Sequence, residues 1–153
     1  MRRLRTELLA IIVVCLLSAC DMFDPPWIGI WVDDSTVPNV KVTLDLGKDE
    51  GTVTVDNSDP AADTSLTVVE GSLDGDEDTI TATVTYLYAV QNDPPLIFEM
   101  ENRAIIEAYL RTRGVARTNS CGYTIEGDIF TIWGQLISVL TENESDYLKA
   151  VKQ

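Results

Sequence analysis

From Thr79 to Val90 the chain reads TITATVTYLYAV. Ile80, Ala82, Val84, Tyr86, Tyr88 and Val90 share one parity, and Thr79, Thr81, Thr83 and Thr85 share the other. A period of two sends successive side chains to opposite faces, so the stretch predicts a long strand with one buried face. Val40 to Leu46 repeats the pattern, with Val40, Val42, Leu44 and Leu46 set against Lys41, Thr43 and Asp45. Shorter β-prone runs cover Thr52–Asp56, Ser65–Leu73, Tyr123–Glu126, Ile129–Trp133, Leu136–Thr141 and Tyr147–Val151. Turn-forming residues separate them at Gly47–Gly51, Asp74–Asp78 and Gly127-Asp128, the last suited to a two-residue type II′ hairpin. Asn57–Thr64, polar and containing Pro60, reads as a loop. Strands joined by turns between neighbours predict a mainly β fold, an antiparallel up-and-down meander or barrel.

One segment changes period. After Pro94-Pro95, the apolar residues Ile97, Met100, Ala104, Ile105 and Ala108 recur at helical spacing. Glu99 with Arg103 and Glu107 with Arg111 stand four apart in the favourable order, and Gly114 is a natural stop. The pattern predicts one inserted α-helix near 98–113, packed across the sheet or over one end of it.

The amino-terminal residues have a different logic. Arg2, Arg3 and Arg5 precede an apolar run from Leu8 to Leu17, followed by the small residues Ser18 and Ala19 and then Cys20. This is the layout of a secretory signal peptide. At about 1.5 Å per residue, a run of about ten residues falls well short of a bilayer's roughly 30 Å hydrocarbon core. The end of the segment, Leu17-Ser18-Ala19-Cys20, resembles a bacterial lipobox. The resemblance implies cleavage before Cys20, a diacylglyceryl group on its sulfur and acylation of the new amino terminus. Two or three acyl chains, at about 0.8 kcal/mol per buried methylene, hold a protein on a membrane stably. Asp21 resembles the signal by which enteric bacteria keep lipoproteins in the inner membrane. The expected organisation is a signal peptide over 1–19, a lipidated Cys20 with a short tether over 20–26, and one β domain over 27–153. The location is then a bacterial membrane, inner or outer, with the domain in the periplasm or at the surface.

Composition narrows the chemistry. The net charge is −14 with no His, and loss of Arg2, Arg3, Arg5 and Glu7 with the signal leaves the remainder more negative still. Such a surface repels nucleic acid. Without His, Ser-His-Asp chemistry and His-containing zinc sites are excluded. Of the three Cys, Cys15 leaves with the signal and Cys20 takes lipid. Cys121 remains alone, unable to form an intramolecular disulfide, and reads as a small buried apolar residue.

Three stretches resemble the small bacterial lipoproteins with lipocalin-like domains. They are Trp27-Ile28-Gly29-Ile30-Trp31 with its Gly-x-Trp, the run Gly122-Tyr123-Thr124-Ile125-Glu126-Gly127-Asp128-Ile129-Phe130-Thr131-Ile132, and the closing strand after Leu140-Thr141. The resemblance implies a barrel in which Trp31 plugs the closed end, with Lys149 or Lys152 near it. The chain departs from it by placing its helix before the Tyr123 hairpin, and by being short for a full eight-stranded cup.

Further groupings carry candidate chemistry. Tyr86, Tyr88, Phe130 and Trp133 are candidates to line a small apolar pocket, or are plain core. Arg111, Arg113 and Arg117 either contact an anionic ligand or phospholipid, or complement the dipole of their own helix. Asp74 to Asp78 lacks the Gly and Glu placement of an EF-hand and reads as an acidic hairpin tip. The expected function is a non-enzymatic binding or interaction module, anchored to the membrane through Cys20, without metal or cofactor. Its partner is a small apolar ligand or another envelope protein. The alternatives are a surface lipoprotein with a solid core and a carboxylate-based hydrolase.

Overall fold

A computed structural model of the chain describes residues 24–33, 39–141 and 147–153. Its strands are β1 (Gly29–Asp33), β2 (Val40–Leu46), β3 (Glu50–Asn57), β4 (Thr64–Gly75), β5 (Thr79–Gln91), β6 (Leu96–Met100), β7 (Thr118–Glu126), β8 (Ile129–Trp133) and β9 (Tyr147–Lys152). Two helices, α1 (Arg103–Thr112) and α2 (Gln135–Thr141), precede β7 and β9. Strands β1, β2, β3, β4, β5, β7, β8 and β9 pair antiparallel in that order, and β9 returns to β1, closing an eight-stranded barrel. Closure leaves those strands without free edges. β6 is a ninth strand, paired with the far half of β5.

The alternation read from the sequence sets the wall. Val42, Leu44 and Leu46 of β2 point inward and are buried, and Lys41 and Asp45 are exposed. Gly127 turns the β7–β8 hairpin at φ 62°, while Asp128 keeps an ordinary negative φ, as a type II′ turn requires.

β5 departs from the expected face. Ile80 and Val84 are buried, but beyond them Leu87 and Ala89 are the inward residues. The register explains the switch. Glu70 pairs with Tyr86 and Gly71 with Val84, so Thr85 is an extra residue in β5, a β-bulge that inverts the parity of everything after it. Gly71 sits opposite, where a Cβ would lie 2.7 Å from the Thr83 carbonyl oxygen.

At the bulge β5 also changes partner. Its first half, Thr79–Thr83, pairs with β7, and its second half, Leu87–Gln91, pairs with β6. Arg117 closes the divergence. Its carbonyl accepts from the Val84 N–H at 2.9 Å and its guanidinium donates to the Val84 carbonyl at 3.1 Å.

The helix predicted over 98–113 is therefore two elements. Leu96 to Met100 follow a turn with a cis Asp93–Pro94 bond and join β5 as a strand, which separates Glu99 from the helix bearing Arg103. α1 starts only after Asn102, whose side chain accepts from the Ala104 and Ile105 N–H groups as an N-cap. Leu136–Thr141, expected as a strand, is part of α2. Leu136, Ile137 and Leu140 are buried together there, a helical rather than an alternating spacing.

Candidate functional site

A ligand site in a closed barrel lies in its interior or at its mouths. At the end where the chain enters β1, Trp27, Trp31, Tyr123 and Phe130 are all buried. Trp31 lies tilted on Phe130 with ring centres 5.0 Å apart, Phe130 contacts Tyr123 at 5.7 Å, and Tyr123 meets Trp27 edge-on at 5.7 Å. The Trp31 indole N–H donates to the Trp27 carbonyl at 2.8 Å, and the Tyr123 hydroxyl donates to the Asp76 carbonyl at 2.9 Å. The Lys152 ammonium stands 5.3 Å from the centre of the Trp31 ring, and Lys149 is instead over Tyr147 at 5.9 Å. The Trp27 indole N–H meets no acceptor among the described residues. Burial, and then the carboxylates of Asp76, Asp78 and Glu77, raise the Tyr123 hydroxyl above its ordinary pKa.

The opposite end is covered by the two helices. Ile106 and Leu110 of α1 and Leu136, Ile137 and Leu140 of α2 are buried with Leu87 and Ala89 of β5. Between Thr64, Thr67, Leu87, Ala89, Tyr109, Leu110, Arg113, Val139 and Leu140 a cavity of ≈40 Å³ remains. Pockets that hold small organic ligands run from roughly 300 to 1,000 Å³. This one has room for little more than water.

The four residues proposed from sequence for an apolar pocket do not meet. Phe130 is fully buried in the core at the closed end. Tyr86 and Tyr88 lie past the bulge, on the outer face. The Tyr86 hydroxyl donates to Glu99 at 3.1 Å, and burial followed by that bond and the charges of Glu99, Glu70 and Glu101 raises its pKa. Trp133 is exposed on another wall, its indole over Gly122. The bulge at Thr85 is the physical reason for the two tyrosines, and the sequence signal for it was the end of the threonine alternation at that residue.

Larger concave spaces lie on the outside. A groove of ≈510 Å³ crosses β2, β3 and β4 between Asp45, Asp49, Glu50, Thr52, Glu70 and Thr85. A second, of ≈340 Å³, runs between α1 and the start of β7 and is lined by Glu107, Arg111, Gly114, Val115, Ala116 and Arg117. Of the three clustered arginines, Arg111 and Arg117 share that groove, and Arg113 stacks over Tyr109 at 3.9 Å. Among the described residues no group of three or more Asp, Glu, Cys or His side chains is placed to hold a metal ion. Cys121 is a free, buried thiol. Burial pushes its pKa up to about 11, partly offset by a backbone hydrogen bond from Ile137. No helix of the described residues is long and apolar enough to cross a membrane. Cys20 and the signal-like segment lie outside the described residues.

No family model, curated protein or solved structure matches the chain.

Proposed function

We propose that the chain is a lipid-anchored protein of the bacterial envelope that works as an interaction module through its outer surface. In this reading residues 1–19 are removed, Cys20 carries the lipid, and residues 20–26 hold the barrel close to the bilayer. The lipobox-like Leu17-Ser18-Ala19-Cys20 supports the anchor. The observation that favours the outer surface over a ligand cup is the filling of the interior by the described residues. Trp31 and its aromatic neighbours fill one end, α1 and α2 cover the other, and the cavity between the helices and the wall is ≈40 Å³. The partner is accordingly another envelope component, met on the outside of the barrel.

Mass spectrometry of the chain isolated from bacterial membranes tests both parts. The intact mass is expected to equal residues 20–153 plus a diacylglyceryl group and an amide-linked acyl chain, and Cys20→Ser is expected to lack these additions. An unmodified wild-type mass overturns the anchor. Native spectra of the same protein are expected to show no discrete apolar adduct beyond the covalent lipid. A stoichiometric adduct that survives washing overturns the solid-core reading in favour of a ligand cup.

A further inference from the structure

Four of the large apolar side chains that the fold leaves exposed stand on one wall. They are Ile30 (44%), Ile129 (45%), Trp133 (41%) and Tyr147 (49%). The register places them together. Val32 pairs with Val151, Val151 with Ile129, and Trp133 with Tyr147, so the outer faces of β1, β9 and β8 form one surface. The alternate residues Trp31, Phe130, Ile132, Leu148 and Ala150 point inward and are buried. Apart from the paired Thr131 and Lys149, the outward residues of these strands are thus apolar as well as the inward ones, although an outer face that meets water needs only polar residues. The wall formed by β5 and β7 obeys that rule, with Thr81 bonded to Ser120 and Thr83 to Thr118, each at 2.9 Å.

We infer that the outer wall of β1, β9 and β8 lies on the lipid bilayer, with Trp133 and Tyr147 in the headgroup and acyl boundary. The inference rests on the lipid anchor proposed above. Three observations choose a bilayer as the occupant.

The first is where the tether enters. Trp27, the first buried residue, stands seven residues after Cys20, a span of at most about 25 Å at full extension, and Gly29 begins β1 two residues later. The wall that carries the exposed apolar residues is the one attached directly to the tether, so the chain need not wrap around the barrel to lay it down.

The second is charge. The hairpins at the tether end are acidic, with Asp49, Asp76 and Asp128 at their turns. Standing upright on that end would press these carboxylates onto lipid phosphates. Laid on its side, the barrel offers Lys149, whose ammonium is 5.9 Å from the Tyr147 ring centre, and the nearest carboxylates, Asp45 opposite Ile30 and Glu126 opposite Ile129, stand singly on the flanking strands.

The third is the side-chain and backbone chemistry. Trp and Tyr join an apolar body to one polar tip and concentrate at membrane interfaces for that reason. Over Ala150–Val151, β9 is hydrogen-bonded on both sides, to β1 and to β8, so lipid can displace water there without stranding an N–H or C=O group.

The tryptophans make the inference directly testable. The chain has three, and two of them, Trp27 (3% exposed) and Trp31 (1%), are buried. Trp133 is therefore the one open to a quencher. The intact lipoprotein is reconstituted into protein-free phosphatidylcholine vesicles with or without acyl-chain-brominated lipid. The expected result is quenching by brominated lipid together with loss of quenching by aqueous acrylamide. Trp133→Phe is expected to abolish the lipid quenching. Ile129→Ser with Tyr147→Ser, both surface changes, is expected to return Trp133 to acrylamide while leaving the circular dichroism spectrum unchanged. Trp133 that stays open to acrylamide and untouched by brominated lipid overturns the inference and leaves the wall to a protein partner. The intact mass of the same sample reports the anchor separately. Acylated Cys20 with unquenched Trp133 refutes the docked wall alone, and quenched Trp133 without the acyl additions refutes the anchor alone.

Discussion

Replacing Trp31 with Ala would open the end of the barrel at which the chain enters. The indole is 1% exposed and lies on Phe130 at 5.0 Å. Large-to-small changes at buried aromatic sites cost about 3–5 kcal/mol. The Trp27 carbonyl also loses the donor that sits 2.8 Å from it, and an unpaired buried acceptor costs about 1–3 kcal/mol. The Lys152 ammonium loses a ring face 5.3 Å away, a contribution of about 0.5–1 kcal/mol at an exposed cation. Contacting groups are not additive, so the working expectation is roughly 5 kcal/mol, comparable to the whole stability of a marginal domain. Urea unfolding followed by far-ultraviolet circular dichroism measures it without relying on tryptophan emission. With a slope of about 1–3 kcal/mol per molar urea, the midpoint should fall by about 2–4 M. Trp31→Phe keeps a ring against Phe130 and should lose about 1–3 kcal/mol, chiefly through the Trp27 carbonyl. Lys152→Met keeps the stem and should lose about 0.5–1 kcal/mol. If Trp31→Ala cost less than about 1 kcal/mol, well below the about 3–5 kcal/mol of a buried aromatic truncated to Ala, the idea that this ring fills the interior would be wrong.

Three further predictions follow from other parts of the fold. The Cys121 thiol, held protonated up to about 11, has an ordinary value near 8.5 when unfolded. The stability this contributes is full below the unfolded value and is lost as pH rises through the folded one. Urea midpoints should therefore decline across that alkaline window, and Cys121→Val should flatten the decline. Asn102→Ala removes the cap that accepts from Ala104 and Ile105 and should destabilise by about 1 kcal/mol in thermal melts, with Asn102→Asp close to wild type. Gly71→Ala forces a Cβ to 2.7 Å from the Thr83 carbonyl oxygen, a backbone atom. Its loss should reach about 1–3 kcal/mol and exceed that of Gly122→Ala, where the obstruction is the exposed Trp133 ring; calorimetry of the two variants decides the order.

The sequence by itself determined the class of fold and much of the wall. Val40–Leu46 and Ile129–Trp133 have the bounds their patterns gave, because a strand with one face on a core must alternate. The Gly127 turn was equally local, since its φ of 62° suits glycine. Tertiary structure decided what periodicity cannot carry. Thr85 bulges because Gly71 on a separate strand lets the backbones approach, and that single insertion sends Tyr86 and Tyr88 outside and Leu87 and Ala89 inside. Leu96–Met100 has helix-compatible spacing, yet pairing with β5 made it a strand. Leu136–Thr141 has strand-compatible residues, yet the open barrel end needed an apolar lid, and a helix buries Leu136, Ile137 and Leu140 together there. The candidate surface was the least legible part. Ile30 comes from the first strand, and Ile129, Trp133 and Tyr147 from the last two, about a hundred residues away. They form one wall only because closure brings β1 beside β9, and closure is a property of all eight strands at once.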